Sequence, residues 1–153
     1  MEDKPIFTPF SHEDLIPQPE CLEIPRRKER FSIGIPKESN NQEKRISLTP
    51  DAVEVLVSNG HQITIETGAG EGANYTDQEY SEAGAEISYS SQAVVEKPII
   101  LKVGPLTSDE IEWIKPNSFL VSSVPNNSLN KEYFTELSKK RITAVGFEFI
   151  KDE

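Results

Sequence analysis

The stretch from Phe31 to Pro50 constrains the fold of this chain more than any other. Phe31 to Ile35 is a short apolar run stopped by Pro36, which predicts a buried strand. Lys37 to Lys44 contains no apolar residue and predicts an exposed loop ending at Arg45. Leu48-Thr49-Pro50-Asp51 then predicts a helix start. Thr49 can cap the first turn, and Pro50 falls where a missing N–H costs nothing. Asp51 lies where the helix dipole favours an anion. Leu48 and Val53 have the spacing of a hydrophobic staple. A strand, a polar loop and a capped helix open an α/β unit. In open α/β sheets ligands bind at the carboxyl ends of the strands, so Arg45 is a candidate anion-binding residue.

The same alternation continues. A helix is expected over Asp51 to Asn59, with Val53, Leu56 and Val57 on one face and Gly60 ending it. A strand is expected from His61 to Glu66, with Ile63 and Ile65 alternating with polar neighbours. Thr76-Asp-Gln-Glu79 and Thr107-Ser-Asp-Glu110 read as capping boxes. The first opens a short helix with Tyr80 and Ala83 inward. The second opens a helix with Ile111 and Ile114 inward, stopped by Pro116. Short strands are expected at Ala85 to Ser88, Ile99 to Val103, Phe119 to Ser123 and Ile142 to Val145. Ser91 to Glu96 reads as a turn or two of helix. A last helix, capped by Asn127 or Ser128, carries Leu129, Tyr133 and Leu137. Strands alternating with helices, and apolar on both sides, predict a mostly parallel sheet covered on both faces: a doubly wound α/β domain.

Met1 to Arg30 stands apart. Five prolines preclude a long helix or central strand, and its apolar residues are too sparse for a core. It is expected to be an extended arm, dispensable for folding, with residues 31–153 forming the domain. Arg26-Arg27-Lys28-Glu29-Arg30 reads as a solvated hinge rather than a phosphate patch.

A chain of 153 residues supports one domain with a real core. A net charge of -10 argues against a nucleic-acid face or an anionic membrane surface. Cys21 is the single cysteine, so no internal disulfide forms and a reducing, cytoplasmic setting is expected. No apolar run approaches the ~20 residues of a membrane span. The first residues lack the basic start and apolar core of a signal peptide. The last residues, Lys151-Asp152-Glu153, follow an apolar run closely, and the chain is expected to be the front of a longer protein.

Gly68-Ala69-Gly70-Glu71-Gly72 follows a strand and invites comparison with a dinucleotide fingerprint. The spacing is not G-x-G-x-x-G, because Ala73 stands where the last glycine belongs, and Glu71 would repel a phosphate. A tight structural turn is expected instead. Lys102 ends an otherwise apolar strand and is a second candidate ligand residue. His12 and His61 have no partners at metal-ligand spacing, so no metal is expected. Ser122-Ser123 has no partner histidine nearby and is not a nucleophile elbow.

The blocks Ile33-Gly-Ile-Pro-Lys-Glu38, Asn40-Asn41, Glu43-Lys-Arg45 and Leu48-Thr-Pro50 resemble the opening of the alanine dehydrogenase and nicotinamide nucleotide transhydrogenase alpha-subunit family. Gly60-His61, Glu66 to Gly72, Tyr75 to Tyr80, Ala83 to Glu86, Leu101-Lys-Val103 with Pro105, and Asp109-Glu-Ile111 continue the likeness in order, through about Glu148. The resemblance implies a Rossmann-like, or flavodoxin-like, N-terminal domain facing a separate NAD-binding Rossmann domain beyond Glu153. Substrate would lie in the cleft between them, and the glycine-rich loop would be structural. It implies an amino or keto acid as substrate, NAD as cofactor, a homo-oligomer, and no membrane insertion of this domain.

In alanine dehydrogenases an arginine of the first block binds the acid, and Arg45 matches it. Their Lys-Val-Lys-Glu-Pro run reads Lys102-Val-Gly104-Pro105 here, so glycine falls at the functional lysine's place unless a gap moves Lys102 into it. Their histidine falls near Pro125-Asn126-Asn127, and no histidine follows His61. Catalytic residues are therefore left unassigned. Lys102-Val-Gly-Pro-Leu106 and Val124-Pro125 are closer to the transhydrogenase subunit, whereas Phe147-Glu148 resembles the Tyr-Glu of alanine dehydrogenases. Three functions are consistent with these residues: an alanine dehydrogenase acting with NAD, a transhydrogenase-like subunit exchanging hydride with a partner's NADP(H), and a degenerate domain kept for binding or assembly. The fragment alone is expected to be inactive.

Overall fold

A computed structural model describes residues 29–123 and 131–150. Most of the arm expected over 1–30, with His12, Cys21 and the basic cluster up to Lys28, lies outside the described residues. So do Pro125, the cap expected at Asn127 or Ser128, and Leu129.

The strands are β1 (Ser32–Ile35), β2 (Gln62–Glu66), β3 (Glu86–Ser88), β4 (Ile99–Leu101), β5 (Phe119–Ser122) and β6 (Thr143–Gly146). The helices are α1 (Pro50–Ser58), α2 (Asp77–Glu82), α3 (Ser91–Val95), α4 (Ser108–Trp113) and α5 (Lys131–Lys139). All strand pairs are parallel, in the order β3-β2-β1-β4-β5-β6. The chain winds outward from β1 to β3, crosses back beside β1, and winds outward again to β6. The doubly wound reading of the alternating pattern holds.

Local chemistry explains the elements. The Thr49 side chain accepts from the Ala52 N–H, with Pro50 in the first turn of α1. Both capping boxes form: Thr76 with Glu79 opens α2, and Thr107 with Glu110 opens α4. The β4 strand ends at Leu101, one residue before Lys102. It thus stops short of the expected Val103: the Lys102 N–H still bonds the Val121 carbonyl, but the Lys102 side chain turns to Glu110 of α4 and Ser39, and the Val103 N–H turns to Glu38.

Register sorts the core into two layers. Ile33 pairs beside Ile63 and Ile99, and with Ile35 and Ile65 this row packs on Val53 of α1 and Tyr80 of α2. The intervening row contains Gly34, Thr64, Ile100 and Leu120. Ile100 and Leu120 pack with Val95, Ile111 and Ile114 on the other face. Thr64, expected on the polar side of β2, is buried because that side is also covered, and its hydroxyl bonds the Glu86 carboxylate at 3.2 Å. Burial lifts the Tyr80 phenol up to about 12, and its O–H donates to the Leu48 carbonyl at 2.8 Å. That bond ties α2 to the residue preceding the α1 cap.

Candidate functional site

The strand order reverses between β1 and β4, so their carboxyl ends diverge into the loops that follow. That edge is where open α/β sheets bind ligands. The loop after β1, from Pro36 to Thr49, lies across it. Ile46 and Leu48 pack its end against the core, whereas Lys37 to Lys44 has no apolar residue and is held by polar groups. The Glu38 carboxylate accepts the backbone N–H groups of Val103 and Gly104 at 2.7 and 3.1 Å. Ser47 donates to the Leu101 carbonyl at 3.2 Å. The Lys37 N–H donates to Glu66 at 2.8 Å, and the other Glu66 oxygen accepts from Ser91 at 2.5 Å. Residues from β2, α3 and the β4–α4 loop therefore hold the long loop in place.

Lys102 lies at the centre of this edge and is 1% exposed. Its ammonium donates to both oxygens of Glu110, at 2.7 and 2.6 Å, and to the Ser39 hydroxyl at 3.0 Å. Three donors meet three acceptors, the full capacity of an ammonium group. The same Glu110 carboxylate accepts the Thr107 N–H at 2.6 Å as the cap of α4. Glu110 is thus both cap and counter-ion.

Arg45 lies on the outer part of the loop, with 76% of its side chain exposed. It is paired with Glu43, whose side chain is 19% exposed. Nε donates to one carboxylate oxygen at 2.8 Å and Nη2 to the other at 2.7 Å. This pairing holds the Glu43 carboxyl down at about 2 and raises the Arg45 guanidinium above its ordinary value. Glu43 takes the side-chain hydrogen bonds of Arg45, and the Glu38 carboxylate acts on the guanidinium through its charge alone. No bond joins Arg45 to Lys102 among the described residues, although one loop carries the first and touches the second.

Arg45, Lys37, Glu38, Glu43 and the glycine-rich loop line a shallow pocket of about 190 Å³. That loop is built for close packing. A Cβ at Gly70 would sit 2.6 Å from the Tyr80 ring and 2.8 Å from the Tyr75 carbonyl. One at Gly72 would sit 3.0 Å from the Lys44 backbone. Several amides turn inward: Gly68 N–H bonds Asp77, Ala69 N–H the Glu66 carbonyl, and Tyr75 N–H the Gly70 carbonyl. A short 3-10 turn, Glu71–Ala73, follows rather than a helix that could receive a pyrophosphate. The glycines are accounted for by protein neighbours, and these residues do not fit a dinucleotide. Among the described residues no three His, Cys, Asp or Glu side chains group as metal ligands. No described helix is long and apolar enough to cross a membrane.

Sequence reasoning picked out Arg45 and Lys102 but missed the acids that hold the edge together. Glu110 was legible only as a cap. The anchoring roles of Ser39 and Glu38 were not legible, because their partners lie more than sixty residues away in the chain.

Residues 34–153 match the family described as "Alanine dehydrogenase/PNT, N-terminal domain". Alanine dehydrogenase of Bacillus subtilis is 33% identical over 120 residues, covering 78% of this chain and 32% of that protein. Alanine dehydrogenase of Methanococcus maripaludis is 38% identical over 122 residues, 77% of this chain and 32% of its own. Among solved structures, an L-alanine dehydrogenase superposes with a TM-score of 0.73 at 33% identity, over 77% of this chain and 32% of that one. A transhydrogenase from Sinorhizobium meliloti superposes with a TM-score of 0.71 at 27% identity, over 80% and 36%. The chain spans about a third of the length of these relatives.

Proposed function

The chain belongs to the alanine dehydrogenase and transhydrogenase family as its N-terminal domain, and from that premise we propose that it is the substrate-side part of an NAD-linked oxidoreductase of alanine dehydrogenase type. In this reading the whole protein converts L-alanine to pyruvate and ammonia, with hydride passing to NAD. A Rossmann domain beyond Glu153 holds the cofactor, and the substrate lies in the cleft between the two. The protein works in the cytoplasm as a homo-oligomer. Residues 31–153 are the domain, and 1–30 are an extension to it.

The observation that carries this reading is an arginine on the loop over the carboxyl edge with only its Nε side engaged, and the resemblance matches it to the family's arginine. A guanidinium binds a carboxylate through two parallel N–H bonds. Arg45 seats the acid in that way. Lys102 is the second substrate contact. Its ammonium is saturated, so it reaches a substrate oxygen only in exchange for Ser39, the longest of its three bonds. No described residue is assigned the proton transfer, since no histidine follows His61.

The test is NADH formation by the full-length protein with L-alanine and other amino acids. Arg45→Lys keeps the charge and loses the fork. It should lower kcat/KM about ten- to a hundredfold, the range for hydrogen bonds to a charged group, with an unchanged thermal melt. Absence of turnover with every amino acid would sink the dehydrogenase reading. The absent histidine and the Lys102-Val-Gly-Pro-Leu106 run favour a second one, a transhydrogenase-like subunit. Hydride exchange between NAD(H) and a partner's NADP(H) would then be the activity detected. Neither activity in a protein that still folds would leave a binding or assembly role.

A further inference from the structure

We propose that Glu43 is a positioning residue, which grips one edge of Arg45 so that the other edge is presented to a substrate carboxylate, with the glycine-rich loop buttressing the pair. The proposal rests on the reading of Arg45 as the carboxylate clamp.

A guanidinium has two edges that can meet a carboxylate with parallel bonds: the side edge, Nε with Nη2, and the end edge, Nη1 with Nη2. Glu43 takes the side edge, at 2.8 and 2.7 Å. The Glu43 oxygen that binds Nε also accepts the Arg45 backbone N–H at 3.0 Å. One carboxylate therefore fixes the main chain and the side chain of Arg45 together. The end edge has no partner among the described residues. Exposure is divided the same way, with the carboxylate tucked in and the guanidinium outside.

Glu43 is itself held. Its N–H donates to the Asn40 carbonyl at 2.9 Å, and the Asn40 side chain accepts from the Gln42 N–H at 2.9 Å. The turn has no apolar anchor of its own. What lies against it is the glycine-rich loop, where Gly72 meets the Lys44 backbone, the link between Glu43 and Arg45. A side chain at Gly72 would push on that link. The loop that resembles a phosphate cradle in sequence thus serves the arginine instead. Without Glu43, an exposed arginine regains its rotamer freedom and must lose it again on binding.

The experiment uses the full-length protein loaded with NADH and titrated calorimetrically with pyruvate. Ammonium is left out, so no turnover occurs and binding is read alone. Glu43→Ala should weaken pyruvate about tenfold, the scale of one hydrogen bond to a charged group. Glu43→Gln keeps one acceptor oxygen and should fall between wild type and Glu43→Ala. The Glu43→Ala/Arg45→Lys double variant should bind little worse than Arg45→Lys, because both changes disable one device. NADH affinity and the melting temperature should stay at wild-type values throughout.

If Arg45→Lys weakens pyruvate and Glu43→Ala does not, the positioning role is overturned and the clamp reading survives. If Glu43→Ala lowers the melting temperature and NADH affinity along with pyruvate binding, Glu43 is a loop brace and the role is overturned likewise. Should Arg45→Lys bind pyruvate as wild type does, or wild type bind none, the clamp reading falls and takes this assignment with it.

Discussion

Lys102 shows how much one buried charge commits a fold to. Its ammonium has left water almost completely and depends on Glu110 and Ser39 for every hydrogen bond it makes. Breaking a buried pair from one side strands the other charge and costs ~3–5 kcal/mol, whereas removing both charges is often close to neutral. Lys102→Met should therefore destabilise the chain by about that amount in urea unfolding. Adding Glu110→Gln, which keeps an acceptor for the Thr107 N–H, should recover most of the loss. A double variant as unstable as Lys102→Met would show that a stranded Glu110 charge is not the source of the loss. From sequence Lys102 was visible as a lysine at a strand end, but its loss of exposure depended on α4 packing over it.

The two capping boxes make the corresponding point for elements. Thr76 with Glu79 and Thr107 with Glu110 share one pattern and form the same reciprocal bonds. Their surroundings differ. Glu79 is exposed, and the Thr76 backbone and hydroxyl lower its carboxyl pKa. Glu110 is 6% exposed and faces an ammonium group. Removing the cap hydroxyls should be nearly equivalent: Thr76→Ala and Thr107→Ala should each cost ~1 kcal/mol by urea unfolding, the usual value for a cap. The third-position acids should not be equivalent, because Glu110→Gln also deprives Lys102 of its counter-charge. Equal effects of Glu79→Gln and Glu110→Gln would contradict the double duty of Glu110. The local pattern i, i+3 is readable in sequence, and the burial that separates the two boxes is not.

For the molecule as a whole, the strand order sets where chemistry can occur. The reversal between β1 and β4 opens one edge, and three acids, Glu38, Glu66 and Glu110, join the loops there through amides, a hydroxyl and an ammonium. Nothing in the described part resembles a pyrophosphate site, since the glycines after β2 are spent on Tyr80, Tyr75 and Lys44. The chain by itself should accordingly fold and show no measurable NAD binding in a calorimetric titration. Micromolar affinity would return the Gly68 to Gly72 loop to cofactor binding and move the proposed cleft.

Elements and fold class were written locally. Caps at Thr49, Thr76 and Thr107, proline stops and alternating apolar runs act over a few residues, so each can be read without knowing its neighbours. The family was legible too, because its blocks keep their order along the chain. Tertiary structure decided what those residues do. It buried Thr64 by covering the second face of β2, and it made Glu110 the counter-ion of Lys102. It brought Glu38 to the amides of Val103 and Gly104, and it set Gly72 against Lys44 beneath the Glu43–Arg45 pair. Most of these contacts join residues far apart in sequence, and all depend on crossovers that no local preference encodes.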